Sequence, residues 1–268
     1  MKPNFMTYLI KNREVLQQLI LRDIYGRYKG SFLGIFWTAV NPLLMLSVYT
    51  LVFSQIFRAK WGGSSGGDSP ITFALNLFAG LIVFNIFSEC ASKSPTLITS
   101  NPNFVKKVIF PIHTLGGMVT GSALIHGAMS ATILMIAKLI IDGNVSNTMI
   151  AIPVVWLPLI FGCLGLSWIL SWIGAVIKDT PQVVNAGVSM MMFLSPIFYP
   201  SSILPDKLQW LAKINPLATV IEDTRSVFIS GVMPSASKLI IEILISLLWC
   251  QLCFNILRKS QKSLADIL

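Results

Sequence analysis

The groups able to do chemistry are few: two histidines, four cysteines and eleven acidic side chains in 268 residues. A hydrolytic or metal centre needs at least two such groups to converge, and no spacing in the chain shows that pairing. No catalytic residue and no metal ligand is therefore assigned. His126 lies among Gly, Ala and Ser inside a long apolar run, and an ionisable residue within a membrane is a functional candidate by default. A neutral imidazole hydrogen-bonded to a neighbouring helix accounts for it more simply. His113 falls at a helix entrance, where water can reach it. Glu89 and His126 are the starting points for any enzyme reading. Cys250 and Cys253 form a C-x-x-C, but Leu247, Leu248, Leu252 and Phe254 around them make it a packing pair. Cys90 and Cys163 also sit in apolar runs, so neither a disulfide framework nor a zinc site is indicated. No G-x-x-x-x-G-K-[ST] occurs, so this chain has no P-loop with which to hydrolyse ATP. The glycine-rich Trp61–Asp68 lacks the Lys and hydroxyl of that motif and reads as a loop.

The elements that position these groups are set by hydrophobicity. The chain is 54% hydrophobic and 12% charged, with a mean hydropathy of +0.73. Ordinary soluble domains carry about 25% charged residues, so this much apolar surface points to a membrane. Leu33–Phe57 contains no Lys, Arg, Asp, Glu or His. At about 1.5 Å per residue, a helix of that length crosses a hydrocarbon core of about 30 Å. Charge-free windows predict six spans, at Leu33–Phe57, Ile71–Cys90, Thr114–Ile140, Met149–Ile177, Val183–Leu204 and Leu239–Leu257. Pro153 and Pro158 are expected to bend the start of the fourth, and Pro196, Pro200 and Pro205 to break the fifth. Of the 20 Lys and Arg, thirteen fall on one side of this arrangement and seven on the other. By the positive-inside rule both termini are cytoplasmic. The net charge of +9 is thus a topology signal, and nucleic acid is not an expected partner.

Two segments flank the spans with amphipathic patterns. In Asn12–Gly30, Val15, Leu16, Leu19, Ile20 and Ile24 recur at steps of three and four, opposite Arg13, Glu14, Gln17, Gln18 and Arg22. This predicts an interface helix whose apolar face lies in the membrane surface. Between spans two and three, Asn103–Ile109 places Phe104 and Val108 on one side and Lys106 and Lys107 on the other. Such a short helix suits either a groove on a soluble partner or an anionic lipid surface.

At this point the residues resemble a known family. Arg22–Asp23–Ile24 and Arg27–Tyr28–Lys29, then Leu33–Gly34, Trp37 and Asn41–Pro42, resemble the opening of membrane subunits of polysaccharide-exporting ABC transporters. Phe78–Leu81, Ser100–Asn101, Val105–Val108 and Phe110–Pro111 are similar to that family's second span and coupling loop. Lys178–Asp179 stands where the family commonly has Arg–Asp, and Pro196, Trp210 and Asn215–Pro216 fit its later pattern. The resemblance implies a type-2 ABC exporter half: an all-α integral membrane protein of six spans, N-in and C-in, working as a homodimer in the bacterial cytoplasmic (inner) membrane. Residues 1–32 would form the interface helix, 33–257 the permease domain and 258–268 a cytoplasmic tail. It further implies a separate ATP-binding cassette subunit that carries ATP and Mg, with no cofactor bound by this chain. Coupling to it would run through Asn103, Phe104, Val105, Lys106, Lys107 and Val108, beside Arg13, Arg22, Asp23 and Arg27. Between spans five and six it implies outer re-entrant half-helices. Pro205–Ile214 and Thr219–Ile229, each too short to span and separated by Asn215–Pro216, fit that expectation.

The cargo expected from the resemblance is a lipid-linked polysaccharide of O-antigen type, carried on undecaprenyl. Aromatic rings suit sugars, because a ring face stacks on C–H groups without fixing a hydrogen-bond pattern. Trp37, Tyr49, Phe53, Phe57, Phe193 and Tyr199, with Phe198, are the expected path, and Tyr49, Phe53 and Phe57 share one helix face. Interfacial belt or core packing is the alternative for each ring. Glu222, Asp223 and Arg225 must face water, one another or a partner copy, and are read as an outer gate. Teichoic acid or capsule export by the same fold is the nearest alternative, followed by drug export. An ATP-independent membrane enzyme acting on lipid-linked sugars and a passive channel are the competing classes.

Overall fold

The computed structural model describes residues 4–52, 70–101, 110–143 and 146–267, and every regular element among them is helical. The chain opens with α1 (Phe5–Lys11) and α2 (Arg13–Tyr28), then α3 (Trp37–Leu51). The long helices α4 (Pro70–Lys93) and α5 (His113–Asp142) follow. After a turn at Asn147–Ala151 and a single helical turn at Ile152–Val155 comes α6 (Leu157–Val176). The regular helix restarts at Leu157 with Pro158 in its first turn, so the prolines do bend the start of this span. Then come α7 (Thr180–Leu194), α8 (Gln209–Ile214), α9 (Pro216–Arg225) and α10 (Ala236–Ile267).

Five stretches among the described residues are long and apolar enough to cross a membrane: Gly34–Leu51, Ile71–Thr96, His113–Asp142, Asn147–Val176 and Ala236–Ser260. They match five of the six expected spans. The fifth expected span overlaps the 15-residue α7, which ends at Leu194 with Ser195 as its C-cap. The backbone there turns extended just before Pro196, as the residue before a proline prefers. At about 1.5 Å per residue α7 rises only about 22 Å, short of the hydrocarbon thickness.

Helix α4 is the centre. Of its apolar window 72% is buried, against 6% for that of α3. Helices α5, α6, α7 and α9 pack on it, while α10 lies along α6. Close approach is made by glycines. A Cβ at Gly174 would overlap the backbone carbonyl of Pro95, in the turn Ser94–Thr96 that follows α4. Gly174→Ala is therefore expected to cost about 1–3 kcal/mol, because a carbonyl cannot swing aside as a side chain can. A thermal melt of the purified protein checks this, at about 2–4 °C per kcal/mol.

The N-terminal segment departs from expectation. The apolar face of α2 is not left to the membrane surface. Leu16 lies over Gly117 and Ile20 over Gly121, so α2 packs on α5 through a strip with no side chains in the way. Before it, α1 inserts Phe5 against Phe161 and Trp168, and the Phe5 N–H donates to Gln251 Oε1 at 3.2 Å. Nor is His113 solvated: it is 2% exposed, boxed by Tyr8, Trp168 and Phe254. Three distant segments supply those rings. This is why its place at the start of an apolar run gave no sign of burial.

Candidate functional site

Trp37, Asn41, Met45 and Tyr49 recur every four residues along α3, so they form one wall. Asn85 and Glu89 do the same on α4, and His126 and Ser130 on α5. These walls enclose a cavity of about 490 Å³, within the size range of small-ligand sites. Two ring faces and two amides thus meet inside membrane-spanning helices. Asn41 and Met45 on that wall are exposed, as are Leu43, Leu44 and Val48 beside them, so the cavity is open along α3.

A charged joint closes one end of the cavity. Glu89, with a side chain 16% exposed, accepts a close hydrogen bond from Arg27 Nη2 and another from Lys93 Nζ at 3.1 Å. Lys93 also reaches Asp23 Oδ2 at 3.1 Å, so α2 and α4 are tied by alternating charges. His126 Nδ1 lies 3.0 Å from Glu89 Oε2 and 3.2 Å from Arg27 Nη1. A carboxylate only accepts, so the proton sits on Nδ1 and donates to Glu89. The guanidinium then lies beside it as a charge. Burial works against the Arg27 charge, but the bond and charge of Glu89 outweigh it and hold Arg27 above its ordinary value. The expected helix-to-helix bond of His126 is present. Because two cations engage Glu89, the arrangement positions helices rather than offering a free base.

The remaining expected site residues divide. Asp23 and Arg27 join this cluster, whereas Arg13 and Arg22 lie on the exposed side of α2. Trp37 and Tyr49 line the cavity. Phe193, Phe198 and Tyr199 gather separately at the end of α7. There Phe193 and Phe198 lie 6.2 Å apart, and Tyr199 Oη donates to Phe193 O at 3.2 Å. Phe53, Phe57 and the coupling residues Asn103, Phe104, Val105, Lys106, Lys107 and Val108 lie outside the described residues.

Glu222, Asp223 and Arg225 of the outer group take distinct partners. Arg225, 3% exposed, donates to three backbone carbonyls: Asn76 from Nε at 2.9 Å, Pro196 from Nη1 at 2.6 Å and Ile197 from Nη2 at 2.6 Å. Glu222 lies 3.6 Å from Arg225 Nη1 and accepts the Ser201 N–H at 2.9 Å. Asp223 accepts from Lys238 of α10 at 2.9 Å. The segment after Asp223 is tied to the body as well. Trp156 Nε1 donates to Thr224 Oγ1 at 3.1 Å, Thr148 Oγ1 to Val227 O at 2.8 Å and Lys138 Nζ to Ile229 O at 2.6 Å. The expected break at Asn215–Pro216 is capped by Asn215 Oδ1, which accepts from the Leu217 N–H at 2.9 Å.

Asn41, Asn85, Ser130 and the role of Lys93 were missed from the sequence. A signal was present: Asn85, Glu89 and Lys93 follow one another at four-residue steps within or beside a span, and a polar stripe there needs a polar neighbour.

The chain is 26% identical over 245 residues to an O-antigen export system permease protein RfbA of Myxococcus xanthus, covering 90% of this chain and 91% of that one. It is 27% identical over 225 residues to the protein of the same name in Klebsiella pneumoniae, covering 82% of each. To the polysialic acid transport protein KpsM of Escherichia coli it is 24% identical over 217 residues, covering 81% of each. The family of ABC-2 type transporters matches residues 14–229, from α2 through α9 and the turn beyond it, and the chain belongs to that family of membrane permeases.

Proposed function

We propose that this chain is the membrane subunit of an ATP-driven exporter that moves a lipid-linked polysaccharide of O-antigen or capsule type across the cytoplasmic membrane. The observation that carries this reading is the cavity. Trp37 and Tyr49 supply ring faces for sugar C–H groups, and Asn41 and Asn85 supply amide donors and acceptors for hydroxyls, all among membrane-spanning helices. The two families of relatives, named for O-antigen export and for polysialic acid transport, support the class of cargo and leave both cargoes in the reading.

The working unit is a homodimer. Gln182, Asn185 and Ser189 lie exposed along one face of α7. A polar stripe does not suit acyl chains, so this face belongs against a second copy or a water-filled path. The weakly buried α3 offers a neighbouring surface for the same contact. The short helices α8 and α9 form the outer re-entrant segment, both termini are cytoplasmic, and ATP with Mg is held by a separate cassette subunit. Residues 103–108 dock that subunit.

Affinity purification from native membranes in mild detergent, with mass spectrometry of what co-purifies, tests the reading. A stoichiometric P-loop ATPase is expected, lost when Phe104, Lys106 and Val108 are replaced together. A chain that comes out alone and exports fully would overturn it.

A further inference from the structure

A second cavity, of about 460 Å³, lies across α4 and α7 from the sugar-type pocket, since Phe87 and Met191 line it while Ile86 and Met192 line the first; α6, α9 and α10 form the rest of its walls. Its walls are apolar: Leu159 and Leu166 from α6, Leu217 and Val220 from α9, Ile245 and Trp249 from α10. Ile245 is 62% exposed, so the cavity has a mouth on the outer face of α10. That face carries Ile241, Leu244, Leu248 and Leu252, all exposed and all apolar, with none of the polar stripe seen on α7. In a bilayer its solvent is lipid tails.

One end of the cavity is polar and electrically incomplete. Glu242 is among its lining residues, and its Oε2 is buried without a well-formed hydrogen bond, although the Thr219 hydroxyl lies beside the carboxylate. Lys238 Nζ lies 3.9 Å from the other oxygen of Glu242 and 2.9 Å from Asp223 Oδ1. Asp223 Oδ2 is also buried without a partner. Two carboxylates therefore share one ammonium, and an unmet buried carboxylate oxygen is costly unless a donor reaches it. The Lys238 side chain is 43% exposed and retains capacity for a second acceptor.

We propose that this cavity is a binding site for a phospholipid whose head group carries a primary ammonium. One acyl chain fills the apolar body, entering past Ile245 and Trp249. The head-group ammonium donates to Glu242 Oε2, and its phosphate meets Lys238. An apolar cavity alone would hold any lipid tail; the unmet carboxylate selects an amine.

The test uses the full chain in nanodiscs containing equal amounts of phosphatidylethanolamine, phosphatidylcholine and phosphatidylglycerol with identical acyl chains. Detergent extraction and native mass spectrometry then read the lipid retained. Phosphatidylethanolamine is expected to be enriched about tenfold, the worth of one charge-assisted hydrogen bond. Glu242→Gln is expected to bring the three lipids to parity. Ile245→Trp, at the exposed mouth, should remove retained lipid of every kind, which keeps the proposal testable if Glu242→Gln does not fold. Retention without head-group preference in the unaltered chain would overturn the proposal, as would an unchanged preference in Glu242→Gln. Disulfide cross-linking of two Trp249→Cys chains would overturn it too, by showing that a second copy covers the mouth. Lipid retention is read without ATPase or export, so its failure is distinct from failure of the export reading.

Discussion

Arg225→Ala is expected to leave a membrane subunit that barely holds together. The guanidinium is buried and bridges three carbonyls, one on α4 and two at the break after α7. Removing it strands all three acceptors away from water, and each such loss costs about 1–3 kcal/mol. Partial relaxation brings the expected total to about 3–5 kcal/mol, the range seen when one partner of a buried charged contact is deleted. At about 2–4 °C per kcal/mol, the melting temperature should fall by about 10 °C, with loss of a single peak on size exclusion. Arg225→Lys is the informative companion. If charge alone mattered, lysine would restore stability, but one ammonium cannot span three carbonyls with the guanidinium's flat fork. Both variants should therefore fail, and a melt within 2 °C of the parent would show that the clamp is not structural. The same contact assigns Arg225 a role the outer-gate expectation lacked: it positions α9 against α4, and of the three only Glu222, its side chain 30% exposed, stays open to the surface.

Glu89→Ala is the second large effect, and it reaches function through α2. Glu89 is shared by Arg27, Lys93 and His126, so its loss leaves Arg27 without a counter-ion and Lys93 with Asp23 alone. Because Arg27 and Lys93 are about one-third exposed, water offsets part of the loss, and the expected cost is about 2–3 kcal/mol. The sharper readout is local. With α2 no longer tied to α4, trypsin should cut faster at Arg13 and Arg22, which already lie on its exposed side. Export in cells should drop together with that protection. The double variant Arg27→Ala/Glu89→Ala should be less damaged than the sum of the singles, since it leaves no orphaned charge in that pair. Additive losses would mean that the two residues act separately.

Much of the frame was legible beforehand because membrane insertion is governed by composition. A run such as Ile71–Cys90 can satisfy its backbone in lipid only as a helix, whatever its neighbours. The proline-rich end of the fifth span and the Asn215–Pro216 break were legible for the same local reason. A proline removes a donor and restricts the residue before it. The charged joint was half legible: Asn85, Glu89 and Lys93 announce a polar stripe on one helix. Nothing in the sequence says that Arg27 and His126 would meet that stripe, since this depends on how α2 and α5 are rotated and how closely glycines let them approach.

Other features had no sequence signal at all. The partners of Arg225 are backbone carbonyls up to 149 residues away, and carbonyls are the same at every position. The box around His113 joins Tyr8, Trp168 and Phe254, whose only relation is that α1, α6 and α10 converge there. The sequence by itself determined that this chain is a helical membrane protein, where most of its spans run and which family it resembles. Those follow from hydrophobic run length and local motifs. Only the tertiary structure decided which polar groups pair, which face of α2 is covered and which aromatic residues line the cavity. Each of these is set by the rotation and spacing of helices distant in sequence, to which local residue patterns are blind.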